Sequence, residues 1–209
     1  VYGSIPEGIL STEDYKITPN NPYSASKAAA DLLVMAYVKT FGYPAMITRS
    51  SNNYGPYQFP EKVIPLMIIN ALSGKDLPVY GDGSNIRDWI YVEDNCCAID
   101  EVLHKGKTGE IYNIAGGNEV KNIDLVRAIL NGMSKGEQLI KYVKDRPGHD
   151  KRYAMDCAKA KKEFSWQPRT SFEQGIKKTI SWYQANEAWW QDILKGEYKN
   201  YYKKLYSNR

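Results

Sequence analysis

The chain has 209 residues, 43% of them hydrophobic, and a formal net charge of +4 from 28 basic and 24 acidic side chains. This length is sufficient for one large or two small domains with a buried core. The basic residues are dispersed as far as the tail, and there is no apolar run of about 18 residues. We therefore expect a globular protein without nucleic-acid or membrane partners.

Cysteine and histidine usage gives no sign of a metal or disulfide framework. Cys96, Cys97 and Cys157 lack the paired spacing of such sites, and His104 and His149 are the only histidines. Adjacent Cys96 and Cys97 are expected to act as small apolar residues of a helix. This usage predicts a reduced, cytoplasmic setting.

The first predicted elements are a helix, a strand and a polar loop. The helix opens at Asn21-Pro22 and closes at Gly42, which Pro44 follows. Apolar residues 45–49 then predict a strand, and residues 50–62 a loop. Because open α/β sheets bind ligands at the carboxyl ends of their parallel strands, this loop is a candidate binding segment.

Tyr23 and Lys27 lie four residues apart in this first helix, so both project from one face. A phenol becomes a usable base only if a positive neighbour stabilises the phenolate, and Lys27 is one turn away. The same spacing also arises by chance in many helices. Taken alone, the pair therefore leaves open whether it is chemical or structural.

Later in the chain, helices alternate with strands. Asn122 is expected to cap a helix that begins at Ile123, and residues 82–84 form a turn between two strands. This alternation is typical of an α/β protein. The predicted helices cover residues 62–72, 93–104, 122–133, 156–164 and 172–186, and the predicted strands 78–80, 87–92, 110–114 and 139–143.

A family resemblance emerges from these segments taken together. Residues 23–27 (YSASK), followed by a strand and then residues 51–62 (SNNYGPYQFPEK), resemble the extended short-chain dehydrogenase/reductase family. Further matches, which extend the resemblance over nearly the whole chain, are residues 77–83, 87–94, 112–117 and 145–150.

The resemblance implies an NAD-binding Rossmann-type parallel sheet with a smaller mixed α/β domain that binds sugar nucleotides. Residues 1–55 would be the end of the Rossmann domain, to which residues 93–114 would return. Residues 56–209 would mainly form the sugar-nucleotide domain. The helix carrying Tyr23 would pack in a homodimer of the intact enzyme.

Residues 1–4 resemble the segment that, in this family, directly follows a catalytic Thr-Asp-Glu triplet. No glycine-rich turn opens a helix after a strand, so the pyrophosphate-binding turn is also missing. The resemblance thus predicts that this is the C-terminal portion of a longer enzyme, inactive by itself.

Residues 59–62 and 145–150 point within the family to nucleotide-sugar dehydratases. The expected reaction is NAD-dependent dehydration of a nucleoside-diphosphate glucose, with dTDP-glucose the expected substrate, to a 4-keto-6-deoxy sugar. Two alternatives stay open: an epimerase or decarboxylase of the same superfamily, and a non-catalytic module that binds sugar nucleotides.

The resemblance also implies roles for single residues. Tyr23 would be the base for the sugar 4-hydroxyl, and Lys27 would hold the ribose of NAD and favour the phenolate. Asn53 would contact the nicotinamide side and Asn52 the substrate diphosphate, although asparagines in turns often bond their own backbone.

Three basic residues are the candidate diphosphate and nucleotide contacts: Lys62, Arg87 and Arg146. Each has an alternative role as a solvated surface charge. His149 follows the turn Pro147-Gly148, whose backbone would allow close approach of a phosphate. The remaining expected substrate contacts are Val63, Pro78, Tyr80, Asn122 and Tyr206.

The tail alternates aromatic and basic residues, from Trp182 to Tyr206. Such a mixture is compatible with stacking on single-stranded nucleic acid. We favour the simpler interpretation that two amphipathic helices pack their aromatic side chains on the domain.

Overall fold

The computed structural model describes residues 1–195, which divide into two compact units. Unit 1 comprises residues 1–53, 85–120 and 147–171. Within the described residues, unit 2 comprises 54–84, 121–146 and 172–195. Each unit is thus assembled from three separate stretches of sequence.

The regular elements alternate along the chain, as expected of an α/β protein. In order they are α1 (Pro22–Phe41), β1 (Ile47–Ser50), β2 (Asn52–Tyr54), α2 (Val63–Leu72), β3 (Leu77–Tyr80), β4 (Ile86–Tyr91), α3 (Val92–Lys105), β5 (Ile111–Ile114), β6 (Glu119–Lys121), α4 (Asn122–Gly132), β7 (Ile140–Val143), α5 (Ala158–Phe164), α6 (Phe172–Ala185) and α7 (Glu187–Lys195). None of the described helices is long and apolar enough to cross a membrane.

Helix α1 has the ends that its sequence predicts. The Asn21 side chain accepts a hydrogen bond from the Ser24 N–H, and Pro22 occupies the first helical position, where no N–H is needed. At the other end Gly42 adopts a left-handed conformation with φ of 65°, and its N–H donates to the Val38 carbonyl. The predicted boundaries of this helix are confirmed.

Unit 1 contains a parallel strand pair. Strands β1 and β5 pair from Ile47 opposite Ile111 to Ser50 opposite Ile114. Helices α3 and α5 pack on this pair and close a hydrophobic core. Its buried members include Ile90, Ala98, Val102, Tyr112, Ile114, Ala160, Phe164 and Trp166.

A three-stranded sheet with the order β2-β4-β6 lies almost wholly in unit 1. The sequence does not predict two of its strands. Strand β2 lies inside the segment 50–62, which the sequence predicts as loop, and β6 has only three residues. Both are too short for an alternation of apolar and polar side chains to be recognised. Strand β2 is also polar, so it exists as a strand through pairing with its neighbours and not through an apolar pattern of its own.

Unit 2 has helices α2, α4 and α6 packed against one another, and α2 and α4 also pack on β3 of a second parallel pair. Strands β3 and β7 pair from Leu77 opposite Ile140 to Tyr80 opposite Val143. Helix α2 is buried over its whole length from Ile64 to Ala71, which accounts for its continuous apolar sequence. Although β3 and β4 flank the predicted turn at residues 82–84, they belong to different sheets.

Two helix starts differ from the sequence prediction. Asn122 is the first residue of α4 rather than its cap; the cap position is Lys121, which makes no side-chain capping bond. Helix α5 begins at Ala158 instead of residue 156, because the Asp156 carboxylate accepts the Ala158 N–H at 2.7 Å ahead of the helix. The strand predicted at 139–143 is preceded by a 3₁₀ turn at Glu137–Leu139.

Candidate active site

The predicted catalytic pair lies in the first two turns of α1, in unit 1. Ser24 and Ala28 are the buried residues of this helix, and Tyr23 and Lys27 immediately precede them. Tyr23 is 74% exposed and Lys27 is also exposed. The helix thus presents a phenol and an ammonium side by side beside its buried stripe.

The start of α1 is joined to the segment around His149. Asn20 donates to the Asp150 carboxylate at 2.6 Å, and Asn21 donates to the Gly148 carbonyl at 3.4 Å. Gly148 has a φ of +65°, and a β-carbon there would lie 3.1 Å from the Asn20 carbonyl oxygen. Glycine is required because of this conformation and this close approach.

Arg87 reaches the same segment from β4. It is 5% exposed, and its guanidinium donates to the Asp150 carbonyl at 2.8 Å and stacks 4.1 Å from the centre of the Tyr153 ring. Tyr153 in turn donates to the Asp150 carboxylate at 2.6 Å. The structure therefore brings Arg87, the His149 segment and the start of α1 together around Asp150, a residue of the 145–150 motif for which the sequence predicts no role of its own.

Asn52 and Asn53 follow the carboxyl end of β1, as predicted, but they lie in strand β2. The Asn53 amide donates to the Ser51 carbonyl at 3.1 Å, the local backbone bond typical of asparagine near a turn. Both residues are half-buried. Their roles toward cofactor and substrate stay predictions.

In unit 2, three predicted substrate contacts, Tyr80, Asn122 and Arg146, lie near the carboxyl ends of β3 and β7. Gly81, next to Tyr80, donates its N–H to the Val143 carbonyl at 2.9 Å. A β-carbon on Gly81 would lie 3.5 Å from the Asp145 carboxylate, which accepts the Arg146 N–H at 2.8 Å. The Ile123 N–H donates to the Gly83 carbonyl at 3.0 Å, which brings Asn122 to the same end.

Lys62 and Val63 form the start of α2, also in unit 2. Lys62 is the capping residue, and its side chain is 61% exposed and 4.0 Å from the Glu61 carboxylate. Pro78 is buried in β3, which packs on α2. Tyr206 lies outside the described residues, as does the tail beyond residue 195.

The structure contains a largely buried polar cluster behind α1 that the sequence did not predict. Arg49 of β1 donates to the Asp31 carboxylate and to the Tyr2 hydroxyl, both at 2.8 Å. Asp31 is one turn beyond Lys27, so its position in the series 23, 27, 31 was the available signal.

Comparison with known proteins identifies relatives along most of the chain. A family model described as GDP-mannose 4,6 dehydratase matches residues 1–179. A dTDP-glucose 4,6-dehydratase of Escherichia coli is 51% identical over 218 residues, covering 95% of this chain and 60% of the relative.

Solved structures agree. The dTDP-glucose 4,6-dehydratase of Bacillus anthracis in complex with NAD has a TM-score of 0.89 at 53% identity, covering 92% of this chain and 61% of that one. The enzyme of the same name from Streptomyces venezuelae, with NAD and TYD bound, has a TM-score of 0.90 at 46% identity, covering 92% and 60%. The chain thus spans about 60% of the length of these relatives.

Proposed function

The chain belongs to the GDP-mannose 4,6 dehydratase family, and from this membership we propose that the whole protein is an NAD-dependent dTDP-glucose 4,6-dehydratase. The observation that carries the proposal is the 51% identity, over 95% of this chain, to an enzyme of that name. The reaction is a hydro-lyase step that converts a nucleoside-diphosphate glucose to its 4-keto-6-deoxy product.

The donor set on α1 fits a dinucleotide cofactor. Lys27 offers ammonium donors to ribose hydroxyls, and Tyr23 offers a phenol on the same exposed face. We assign Tyr23, Lys27 and Asn53 to NAD, which supplies reversible hydride transfer when bound. The relatives from Bacillus anthracis and Streptomyces venezuelae hold NAD in their crystal structures.

Within the reaction, Tyr23 acts as the phenolate, which the adjacent Lys27 charge stabilises, and it becomes the neutral phenol when it takes the proton of the sugar 4-hydroxyl. Loss of a proton from C5 and departure of the C6 hydroxyl are assigned to acid and base groups expected before residue 1. Tyr23 and Lys27 thus serve the oxidation and reduction steps rather than the elimination.

The other predicted residues are assigned to the diphosphate and nucleoside of the substrate. In unit 1 these are Arg87, whose buried guanidinium is already oriented by Asp150 and Tyr153, together with Asn52 and His149. A preoriented guanidinium suits a bidentate phosphate contact. In unit 2 they are Lys62, Val63, Pro78, Tyr80, Asn122 and Arg146, and Tyr206 completes the set.

We further propose that the whole protein is a cytoplasmic homodimer. The three cysteines of this chain are free, as expected in a reducing compartment. Helix α1 exposes Leu33 and Phe41 by 61% and 72% on one side, an apolar face that a second copy would cover.

The decisive variant is Tyr23→Phe in the whole protein, assayed with dTDP-glucose and NAD. Loss of the phenol hydroxyl removes the base, so kcat is expected to fall at least about 100-fold. Tyr37→Phe is the matched control, since Tyr37 lies on the same helix and is 50% exposed. A Tyr23→Phe enzyme within threefold of wild type would refute the assignment.

Product identification separates the superfamily alternatives. An epimerase or decarboxylase also needs a base at Tyr23, so the effect of Tyr23→Phe is shared by all of them. We expect a 4-keto-6-deoxy sugar nucleotide from the wild type, identified by mass and by nuclear magnetic resonance. A 4-epimer or a pentose product would replace the dehydratase proposal, and no turnover with tight sugar-nucleotide binding would leave a binding module.

A further inference from the structure

Helix α1 buries little of itself in unit 1, although Val34, Met35 and Val38 are half-buried. Of its 20 residues only Ser24 and Ala28 are buried, both in the first two turns. A helix that buries so little of itself depends on polar contacts for its exact orientation. The capping residue Asn21 fixes its start, which leaves its rotation and tilt to be set farther along.

Farther along α1, an ion pair between Asp31 and Arg49 is available to set the rotation and tilt of the helix. The Arg49 Nε donates to the Asp31 carboxylate at 2.8 Å. The Arg49 side chain is 7% exposed and the Asp31 side chain is 16% exposed. Asp31 follows Lys27 by one turn, as Lys27 follows Tyr23, so the three lie along one strip of the rigid helix that rotates by about 40° at each step. Anchoring Asp31 therefore fixes the direction in which Tyr23 and Lys27 point.

The other end of Arg49 is bound to the N-terminal segment. Its Nη1 donates to the Tyr2 hydroxyl at 2.8 Å and to the Glu13 carbonyl at 3.2 Å. The Tyr2 hydroxyl donates to the Asn113 side chain of β5 at 2.7 Å. Tyr2 and Asn113 are buried, so this end of Arg49 is attached to the core of the unit.

The charge on Arg49 persists despite its burial. Desolvation lowers the Arg49 pKa, but the hydrogen bonds with Tyr2 and Asp31 outweigh it and raise the pKa. A buried guanidinium with charge-assisted bonds on both sides is a rigid link between segments.

We propose that Arg49 and Asp31 are positioning residues, which set the orientation of the Tyr23–Lys27 face relative to the segment beginning at Val1. The inference rests on the proposed function, in which Tyr23 is the base and further acid and base groups precede that segment. In such a reaction a displacement of about 1 Å costs up to about 100-fold in rate.

The test uses the whole protein with Asp31→Asn and Arg49→Lys. Both variants are expected to lower kcat at least tenfold while KM for the sugar nucleotide changes less than threefold, because orientation and not binding is lost. The double variant is expected to be no slower than the slower single variant, since both remove one contact.

A matched control comes from another buried ion pair of unit 1. Arg152 Nε donates to the Glu119 carboxylate at 2.6 Å, and these side chains are 10% and 32% exposed. Glu119→Gln removes one charge from beside a buried arginine without touching α1. It is expected to lower stability and to leave kcat within threefold of wild type.

Amide hydrogen exchange supplies a readout that does not depend on activity. In the protein without substrate, residues 29–41 are expected to exchange at least tenfold faster in both variants, while α3 exchanges as in wild type. Tyr2→Phe, which removes one hydroxyl, is expected to give a smaller change in the same direction and serves if Asp31→Asn does not fold.

Two outcomes would overturn the proposal. The first is a kcat for Asp31→Asn and Arg49→Lys that falls no further than that of Glu119→Gln. The second is exchange that accelerates equally in α1 and α3, which would mean general loosening. A Tyr23→Phe enzyme that stays active would refute the proposed role of Tyr23 instead, whatever the exchange data show.

Discussion

Asp88 is a buried carboxylate that is oriented by a loop. It is 2% exposed in β4, and its Oδ1 accepts the Asn118 N–H at 3.0 Å. Burial raises the pKa of Asp88 to about 6; the N–H of Asn118 acts in the opposite direction, and the nearby Glu119 charge adds to the rise. Asp88 therefore loses its proton in the folded protein near pH 6 rather than near pH 4.

This shift predicts a stability that falls with rising pH. Between about pH 4 and 6 the folded state binds more protons at Asp88 than the unfolded state, so the free energy of unfolding declines. The loss is complete above pH 6 and amounts to about 3 kcal/mol. We expect the free energy of unfolding of Asp88→Asn, relative to that of wild type, to rise by about 3 kcal/mol as the pH increases from 4 to 7, because the uncharged side chain does not undergo this loss. Urea unfolding at each pH measures the difference.

The control for this experiment is Asp14→Asn, at an exposed carboxylate. Its free energy of unfolding relative to wild type should stay constant within about 0.5 kcal/mol over the same pH range. An Asp88→Asn difference that also stays constant would mean that Asp88 is ionised throughout.

Among the elements, β4 and the connection from β5 to β6 are in close main-chain contact. The Trp89 N–H donates to the Asn118 carbonyl at 3.1 Å. A β-carbon on Gly116 would lie 1.9 Å from the Trp89 carbonyl oxygen, well inside contact distance. The close approach of two main chains, rather than a turn conformation, therefore requires glycine at position 116.

Neighbouring glycines allow this to be tested. Gly116→Ala is expected to lower the free energy of unfolding by at least about 3 kcal/mol, because main chain must move to accept the methyl group. Gly117 has a φ of +67°, and a β-carbon there would meet no heavy atom of the described residues within 4 Å. Gly117→Ala should therefore cost only about 1–2 kcal/mol. Equal losses in urea unfolding would contradict the contact argument.

The elements that the sequence predicted well are those with signals inside their own residues. Helix α1 carries its cap, its proline and its terminal glycine, and α2 is apolar apart from Asn70. Strand β2 could not be predicted, since a polar three-residue strand exists only through its partners. Asn122 has a capping side chain, but it lies inside α4 as the first helical residue and the cap position falls to Lys121.

The residues of the candidate site show the same contrast between signals that are local in sequence and contacts that are not. Tyr23 and Lys27 could be found because a helix converts their spacing into a shared face. Asp150 and Arg49 also act through partners that are distant in sequence, Asn20 and Asp31, and the spacing along α1 points to Asp31 but not to its partner. Only the folded chain reveals them.

At the scale of the whole molecule, both units are discontinuous. The chain passes between them at five points, near residues 53, 84, 120, 146 and 171. No single cut releases either unit intact, so function has to be tested in the whole protein. Oligomeric state is a property of the whole molecule, and the outer face of α1 is the surface that bears on it most directly.

We expect the whole protein to be a dimer that Leu33→Glu converts to a monomer. Leu33 is 61% exposed on α1, beside Leu32 and about two turns before Phe41, and a charge there could not be buried against a second copy. Sedimentation velocity measures the change directly. Leu103→Glu is the control, because Leu103 is 68% exposed on α3 and outside this face. A Leu33→Glu protein that remains folded and dimeric would place the interface elsewhere and leave the α1 face to be covered by the rest of its own chain.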